Sequence, residues 1–432
     1  METVRFITLG CSKNSVDTEH ILAQLPEDRF RIIPEDSDED AQTTVLNTCG
    51  FIGDAKQESI DAILEAVELK KQGRTGKVLV FGCLSQRYSK DMPKLIPEVD
   101  GWYGARDISE VVRALGAEPS RSCTTRKRGD SLPYAYLKIS EGCDRRCSYC
   151  AIPLIRGAHR SVPMEELVRE AESLAAEGVR ELILIAQDTT WYGLDLYGKR
   201  NLKELISRLC EVEGIEWIRI HYSYPADFPE DVLEEMASNP KVCKYLDIPL
   251  QHISDGVLAA MRRGVDGKWT RELISKLRTQ VPEVVLRTTM IVGHPGEGEA
   301  EFSELLDFVR EARFGRLGAF SYSEEEGTFG ARKLKDDVPE AEKKRRLDAL
   351  MELQSSISLE LNRARVGSVE RVLVDDWTGK ELVCRSQYES PEVDGEILVR
   401  CEDEETVRKL KGNFASVRIT GADEYDLTAE LI

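Results

Sequence analysis

The chain of 432 residues has no apolar stretch approaching the ~18 residues of a membrane-crossing helix, so no membrane association is expected. It also lacks an excess of positive charge: 59 Lys and Arg stand against 78 Asp and Glu, for a net charge of −19. Phosphate recognition needs the opposite balance, so direct nucleic-acid binding is not expected and a basic protein is the favoured partner. The opening Met1-Glu-Thr-Val-Arg-Phe6 has no basic segment leading into an apolar core and reads as the start of a strand, so the expected location is cytoplasmic. Internal repeats, low-complexity tracts and a sustained heptad seam are absent too. The acidic runs at 35–40 and 402–405 read as solvated loops.

Cysteine, by contrast, is plentiful: the chain has 11, expected to stay as thiols. Cys143, Cys147 and Cys150 form a CxxxCxxC cluster within Lys138-Ile-Ser-Glu-Gly-Cys-Asp-Arg-Arg-Cys-Ser-Tyr-Cys150. Three thiolates can hold three corners of an iron–sulfur cubane and leave the fourth iron open to a substrate or cofactor. Structural zinc prefers four closed ligands, commonly in paired knuckles, and no second pair lies nearby; His159 is the one stray candidate for a fourth ligand. A disulfide is disfavoured by the odd number and by the lack of secretory context.

Alternating apolar runs and helical periods imply an α/β chain with a parallel sheet in its first ~120 residues. Strands are expected at Val4–Leu9, Thr43–Thr48 and Lys77–Gly82, with helices from Ser15 to Leu25 and from Asp54 to Lys71. Residues 118–132 read as a linker. From Pro133, six strands (Tyr134–Ser140, Glu181–Ala186, Trp217–Tyr222, Tyr245–Ile248, Val284–Val292 and Leu317–Tyr322) suggest six βα units in an open, partial barrel. A long helix from Pro339 to Arg365 carries Leu347, Leu350, Leu353, Ile357 and Leu361 on one face. Short strands at Val369–Val374, Glu381–Arg385, Glu396–Val399 and Ser416–Thr420 then indicate a small all-β barrel.

A second triplet emerges from this layout. Cys11, Cys49 and Cys83 each follow an expected strand, on the sheet edge where parallel folds bind ligands. Any one of them alone would be a small core residue. All three in one slot favour a second cluster. Cys123, Cys210, Cys243, Cys384 and Cys401 have no such context and read as non-ligands.

The CxxxCxxC at the end of the first barrel strand resembles the signature of radical S-adenosylmethionine (SAM) enzymes. With the three-cysteine amino domain before it and a carboxy module resembling a TRAM domain, the whole chain is similar to the radical SAM methylthiotransferases. The corresponding division is an amino domain at 1–117, a linker at 118–132, a radical SAM core of (β/α)6 type at 133–365 and a TRAM-like barrel at 366–432. Leu9-Gly-Cys-Ser-Lys-Asn14, Ala186-Gln-Asp-Thr-Thr190 with Trp191-Tyr-Gly193, Pro391-Glu-Val-Asp-Gly395 and Asp423-Glu-Tyr-Asp-Leu427 resemble the ribosomal-protein (RimO-type) branch. The Gly-Cys-Gln-Met-Asn and Gly-Gln-Asn-Val stretches typical of the tRNA-modifying branch are absent. One departure is His294, where the family more usually has an aromatic; it reads as a tolerated variation in a loop.

The resemblance implies two [4Fe–4S] clusters. One is held by Cys143, Cys147 and Cys150 and binds SAM, the source of both radical and methyl group. The other is held by Cys11, Cys49 and Cys83 and supplies sulfur. The implied reaction places a methylthio group on the β-carbon of an aspartate in small-subunit ribosomal protein twelve, with flavodoxin or ferredoxin as electron donor. Tyr149, Gln187, Asp188, Gln251, Gly293 and Gly296 are candidate cofactor contacts. For Gly293 and Gly296 a plain turn is an equal reading, and Gln251 with its neighbour His252 equally reads as a helix cap. A tRNA methylthiotransferase, or a non-catalytic iron–sulfur or ribosome-binding protein, is the alternative.

Overall fold

Unbroken apolar runs set the first sheet. In the computed structural model, which describes residues 1–120 and 124–432, Glu2–Thr8 (β1), Phe30–Ile33 (β2), Ala41–Thr48 (β3), Thr75–Gly82 (β4) and Gly101–Trp102 (β5) pair in parallel. Their order is β2-β1-β3-β4-β5. An all-parallel sheet must bury both faces. Val4, Phe6, Val45, Leu79 and Phe81 pack with Ile21 and Val111 on one side, and Leu46, Val78 and Val80 with Ile63 and Val67 on the other. β1, β3 and β4 lie where the sequence places them. β2 and β5 are additional edge strands of 4 and 2 residues, too short to leave a pattern.

The first helix spans Ser12–Leu22 in place of Ser15–Leu25. Its opening turns bury Lys13, Asn14, Asp17 and Thr18, held by side-chain bonds such as Asn14 Nδ2 to the Leu9 carbonyl at 2.7 Å. An apolar period cannot detect such a start. Residues 1–130, 141–145 and 150–173 form this compact unit. The described part of 118–132 has no helix or strand, yet Arg126 is buried within it, with its guanidinium on Glu19 and 3.4 Å from Glu170. Cys123 lies outside the described residues.

The second unit comprises 131–140, 146–149 and 174–432. Tyr134–Lys138 (β6), Glu181–Ile185 (β7), Trp217–Ile220 (β8), Val242–Asp247 (β9), Val285–Val292 (β10) and Arg316–Ser321 (β11) form a parallel sheet in simple sequential order. This is the open six-unit βα architecture expected from the sequence. Val369–Trp377 (β12), Glu381–Ser386 (β13), Ile397–Arg400 (β14), Phe414–Ala422 (β15) and Leu427–Leu431 (β16) close into a barrel around Val372, Val374, Leu382, Val399, Val417 and Ile419. β16, which completes the closure, was not anticipated.

The long helix spans Glu340–Arg363, but its buried face differs from the expected leucine stripe. Lys343, Arg346, Leu350, Gln354, Ile357, Ser358 and Asn362 are buried, whereas Leu347, Leu353 and Leu361 are only half-buried. Several of these polar side chains have partners: Arg346 Nη1 donates to Glu297 Oε1 at 2.8 Å, Gln354 Nε2 to the Phe314 carbonyl at 3.0 Å, and Asn362 Nδ2 to the Asp423 carbonyl at 3.0 Å. Among the described residues, no helix is long and apolar enough to cross a membrane.

Buried charges fasten the small barrel to the six-stranded sheet. Glu181 on β7 accepts from Arg219 Nε on β8 at 2.7 Å and pairs with Arg385 Nη2 on β13 at 2.9 Å, all three side chains being at most 2% exposed. Arg385 also reaches Asp375 Oδ1 at 3.0 Å. In Glu181→Ala both guanidiniums lose this carboxylate inside the protein, and a loss of about 3–5 kcal/mol is expected. Urea denaturation of the variant measures it.

Candidate iron–sulfur centres

The register of the first sheet decides where its cysteines go. β1, β3 and β4 are neighbours, with Thr8 opposite Asn47 and Thr48 opposite Gly82. Cys11, Cys49 and Cys83 therefore leave the same edge on strands about 4.8 Å apart. Cys11 is exposed as the N-cap of helix Ser12–Leu22, Cys49 is half-buried, and Cys83 is buried as the first residue of helix Cys83–Arg87. Gly10 has φ 97°, and a Cβ there would lie 2.8 Å from Cys49 Cβ and 3.2 Å from its Sγ. Only glycine allows the turn to approach that thiol so closely.

Burial pushes the Cys83 thiol up to about 11, against the pull of Arg156, and the neighbouring Cys11 and Cys49 add to the rise. Cys49 is raised as well, by burial first and also by Cys11. Cys49 and Cys83 thus share one locality with Cys11, and burial together with the neighbouring sulfurs opposes the ionisation of these two. A bound iron cluster, which takes thiolates as ligands, relieves that conflict, so the donor set fits one.

In the CxxxCxxC segment, Cys143 is buried and its N–H donates to the Gly157 carbonyl at 3.0 Å. Cys150, half-buried, lies just before helix Ile152–Ile155. Cys147 belongs to the second unit, where Arg263 Nη1 lies 3.4 Å from its Sγ and 3.3 Å from the Tyr149 hydroxyl, and the Tyr224 hydroxyl lies 3.7 Å from the same sulfur. A buried guanidinium thus places a permanent positive charge and an N–H donor beside this sulfur. Ser148 is fixed by its N–H on the Met261 carbonyl at 2.9 Å and by Gly330 N–H on its own carbonyl at 2.7 Å. His159, the stray ligand candidate, instead places Nε2 3.1 Å from Ser161 Oγ. Among the described residues, no three His, Cys, Asp or Glu side chains stand in a ready metal-binding arrangement.

Parallel pairing brings the remaining candidates to the carboxyl-end rim of the second sheet. Asp188, 1% exposed, caps the short helix Thr189–Trp191, its Oδ1 accepting from Thr190 N–H at 3.0 Å. Gln187 is half-buried beside it. Gln251 is held at φ 75°, a conformation rare for a side-chain-bearing residue, and bridges to β10 through its N–H on the Thr289 carbonyl at 2.9 Å. Gly293 and Gly296 have φ of 73° and 89°. His252 is buried, its Nε2 3.3 Å from Glu297 Oε2, and Glu297 also accepts from Gly293 N–H at 2.9 Å. Sequence reasoning missed Glu297, Arg263 and Arg156, because each acts through partners far away in the chain.

His294 lies in the loop after β10, as expected, but is packed into the interior. It is fully buried, with Nε2 3.3 Å from Ser148 Oγ in the CxxxCxxC segment, Nδ1 3.0 Å from the Pro295 carbonyl, and its ring edge-on to Tyr322 at 5.0 Å. It adds a polar contact to the cysteine loop.

Residues 3–104 match the uncharacterized protein family UPF0004, residues 137–309 the radical SAM superfamily and residues 366–432 the TRAM domain. The protein named ribosomal protein uS12 methylthiotransferase RimO in Christiangramia forsetii is 51% identical over 99% of this chain and 94% of its own length. The RimO of Phocaeicola vulgatus is 49% identical over 100% of this chain and 99% of its own. The chain belongs to the RimO family of methylthiotransferases. Among solved structures, TsrM, a radical SAM methyltransferase of Kitasatospora setae, superposes with a TM-score of 0.56 at 13% identity, over 74% of this chain and 72% of its own. That likeness concerns fold alone.

Two outcomes follow from the titrating groups. Burial lowers His294 to about 4 from the ordinary 6.5, so between those values the unfolded chain takes up a proton that the folded chain refuses. Stability of the iron-free chain should fall as pH drops from 6.5 to about 4, by up to about 3 kcal/mol. His294→Phe should flatten that dependence, read from urea midpoints at pH 7 and 4.5. In the same iron-free chain at pH 8, iodoacetamide should alkylate Cys11, Cys49 and Cys83 in the order exposed Cys11 first and buried Cys83 last of the three, as peptide mass spectrometry would show.

Proposed function

We infer that this chain is a radical SAM methylthiotransferase, a transferase of sulfur-containing groups that modifies ribosomal protein uS12. The observation that carries the reading is similarity to RimO proteins at 47–51% identity along essentially the whole chain. The target atom is the β-carbon of an aspartate, as in the resemblance drawn from Leu9–Asn14 and Pro391–Gly395. The cofactors are SAM and two [4Fe–4S] clusters. When bound, they supply reductive cleavage of SAM to a radical that abstracts hydrogen, together with the sulfur and methyl group to be transferred.

Cys143, Cys147 and Cys150 would hold one cluster, and Cys11, Cys49 and Cys83 the other. Arg263 keeps a positive charge beside Cys147 and fixes the Tyr149 hydroxyl, leaving that ring aligned as a wall for the cofactor. Gln187, Asp188, Gln251, Gly293 and Gly296 line the rim where SAM would lie. Asp188 does so by shaping the Thr189–Trp191 turn, and Gln251 by holding a strained backbone in place. The division into 1–117, 118–132, 133–365 and 366–432 follows the same reading. The carboxy module, with 16 Asp and Glu against 8 Lys and Arg in 366–432, suits a basic ribosomal protein. A cytoplasmic location and a flavodoxin- or ferredoxin-type donor complete the proposal.

Anaerobically reconstituted chain should hold about eight irons, and Cys11→Ala about four. Mass spectrometry of uS12 from cells with and without the gene should show a methylthio increment on one aspartate only when the gene is present, and none with Cys147→Ala. Modification of tRNA adenosine with unmodified uS12 would move the assignment to the other branch of the family.

A further inference from the structure

Arg156 is a heavily engaged buried cation beside Cys83, and it comes from the opposite triplet's segment. It follows Cys150 by six residues, yet its Nε lies 3.2 Å from Cys83 Sγ. The side chain is 2% exposed. Nη1 donates to Asp17 Oδ2 and to Glu141 Oε2, both at 2.9 Å, and lies 3.5 Å from the Ala105 carbonyl, while Nη2 donates to Asn14 Oδ1 at 2.6 Å. Asn14 and Asp17 sit on the helix capped by Cys11. Ala151 and Ile155 pack on Cys83. The next residue, Gly157, accepts the N–H of Cys143 at 3.0 Å. One dipeptide therefore grips a cysteine of each triplet.

A guanidinium is permanently charged and presents its donors in a rigid fork. With two carboxylates and an amide fixing the Nη atoms, the Nε–H is left directed at sulfur. A charge-assisted N–H···S bond withdraws electron density from a ligand sulfur and stabilises the reduced, more negative cluster, so it raises the reduction potential. Lysine keeps the charge but cannot make the same set of bonds at once.

We propose that Arg156 is a positioning residue for the cluster of Cys11, Cys49 and Cys83, setting the Cys83 sulfur's orientation and the cluster's potential from the CxxxCxxC side of the chain. This rests on those three cysteines being ligands. Through Gly157 and Cys143, order in the CxxxCxxC segment is transmitted to the second triplet by the same two residues.

The test uses the anaerobically reconstituted full chain as wild type, Arg156→Lys and Arg156→Met, with iron counts and EPR-monitored potentiometric titration. Added SAM perturbs only the signal of the cluster that binds it, which tells the two apart. The expected result is a lower potential for the SAM-insensitive cluster in both variants, more so in Met, its reduced fraction at a fixed solution potential falling several-fold. The SAM-sensitive cluster should titrate as in wild type. Selective loss of the SAM-insensitive cluster also supports the proposal. An unchanged potential in a fully loaded Arg156→Lys, or loss of both clusters in that variant, overturns it; Arg156→Lys alone decides if Arg156→Met does not fold. Wild type holding about four irons and only the SAM-sensitive signal would overturn the ligand assignment instead.

Discussion

Parallel, in-register strand pairing is the constraint on which the chemistry of this chain depends. It sends the carboxyl ends of neighbouring strands to one edge at a fixed spacing of about 4.8 Å. In the first unit it turns three cysteines separated by more than thirty residues each into a local set, because Thr8, Asn47, Thr48 and Gly82 are locked opposite one another. In the second unit it collects Asp188, Gln251 and Gly293 on one rim. Loops supply the reactive groups, and hydrogen-bonded sheets decide where those groups stand.

A second layer of order is electrostatic. Glu181, Arg219 and Arg385 are buried together, as are Arg156, Asp17 and Glu141, and Glu297 with His252 and Arg346. Such groups add little net stability over apolar residues of the same shape, but they tolerate only one arrangement, because any slip leaves a bare charge in the interior. Here they occur where elements must meet in one register: beneath the small barrel, beside Cys83, and behind the glycine turn after β10.

Much of this was legible beforehand, for definite reasons. CxxxCxxC announces itself by spacing, and the six strands of the open sheet by apolar runs bounded by turns. The strand-end position of Cys11, Cys49 and Cys83 needed only the alternation of strands and helices. What escaped were contacts with no periodic signature. Arg156 and Asp17 are 139 residues apart, and Ser148 and His294 are 146 apart. The long helix misled in a related way: its leucines suggested a greasy seam, while Lys343, Arg346, Gln354 and Asn362 face inward because acceptors wait for them. The edge strands β2 and β5 were simply too short to carry a pattern.

The small barrel's attachment has a consequence for molecular recognition. Tyr245 donates to Asp394 at 2.7 Å, His221 lies 2.9 Å from Ser390, and Arg316 pairs with Glu389 at 2.9 Å, so the 386–394 loop is keyed into the sheet before any partner arrives. A module on a loose tether would have to surrender orientational freedom on each encounter, and its selectivity would blur accordingly. This one keeps a single orientation to the sheet, so any partner it engages would meet a preformed surface, and a mismatched one would be penalised mainly through rapid departure rather than slow arrival.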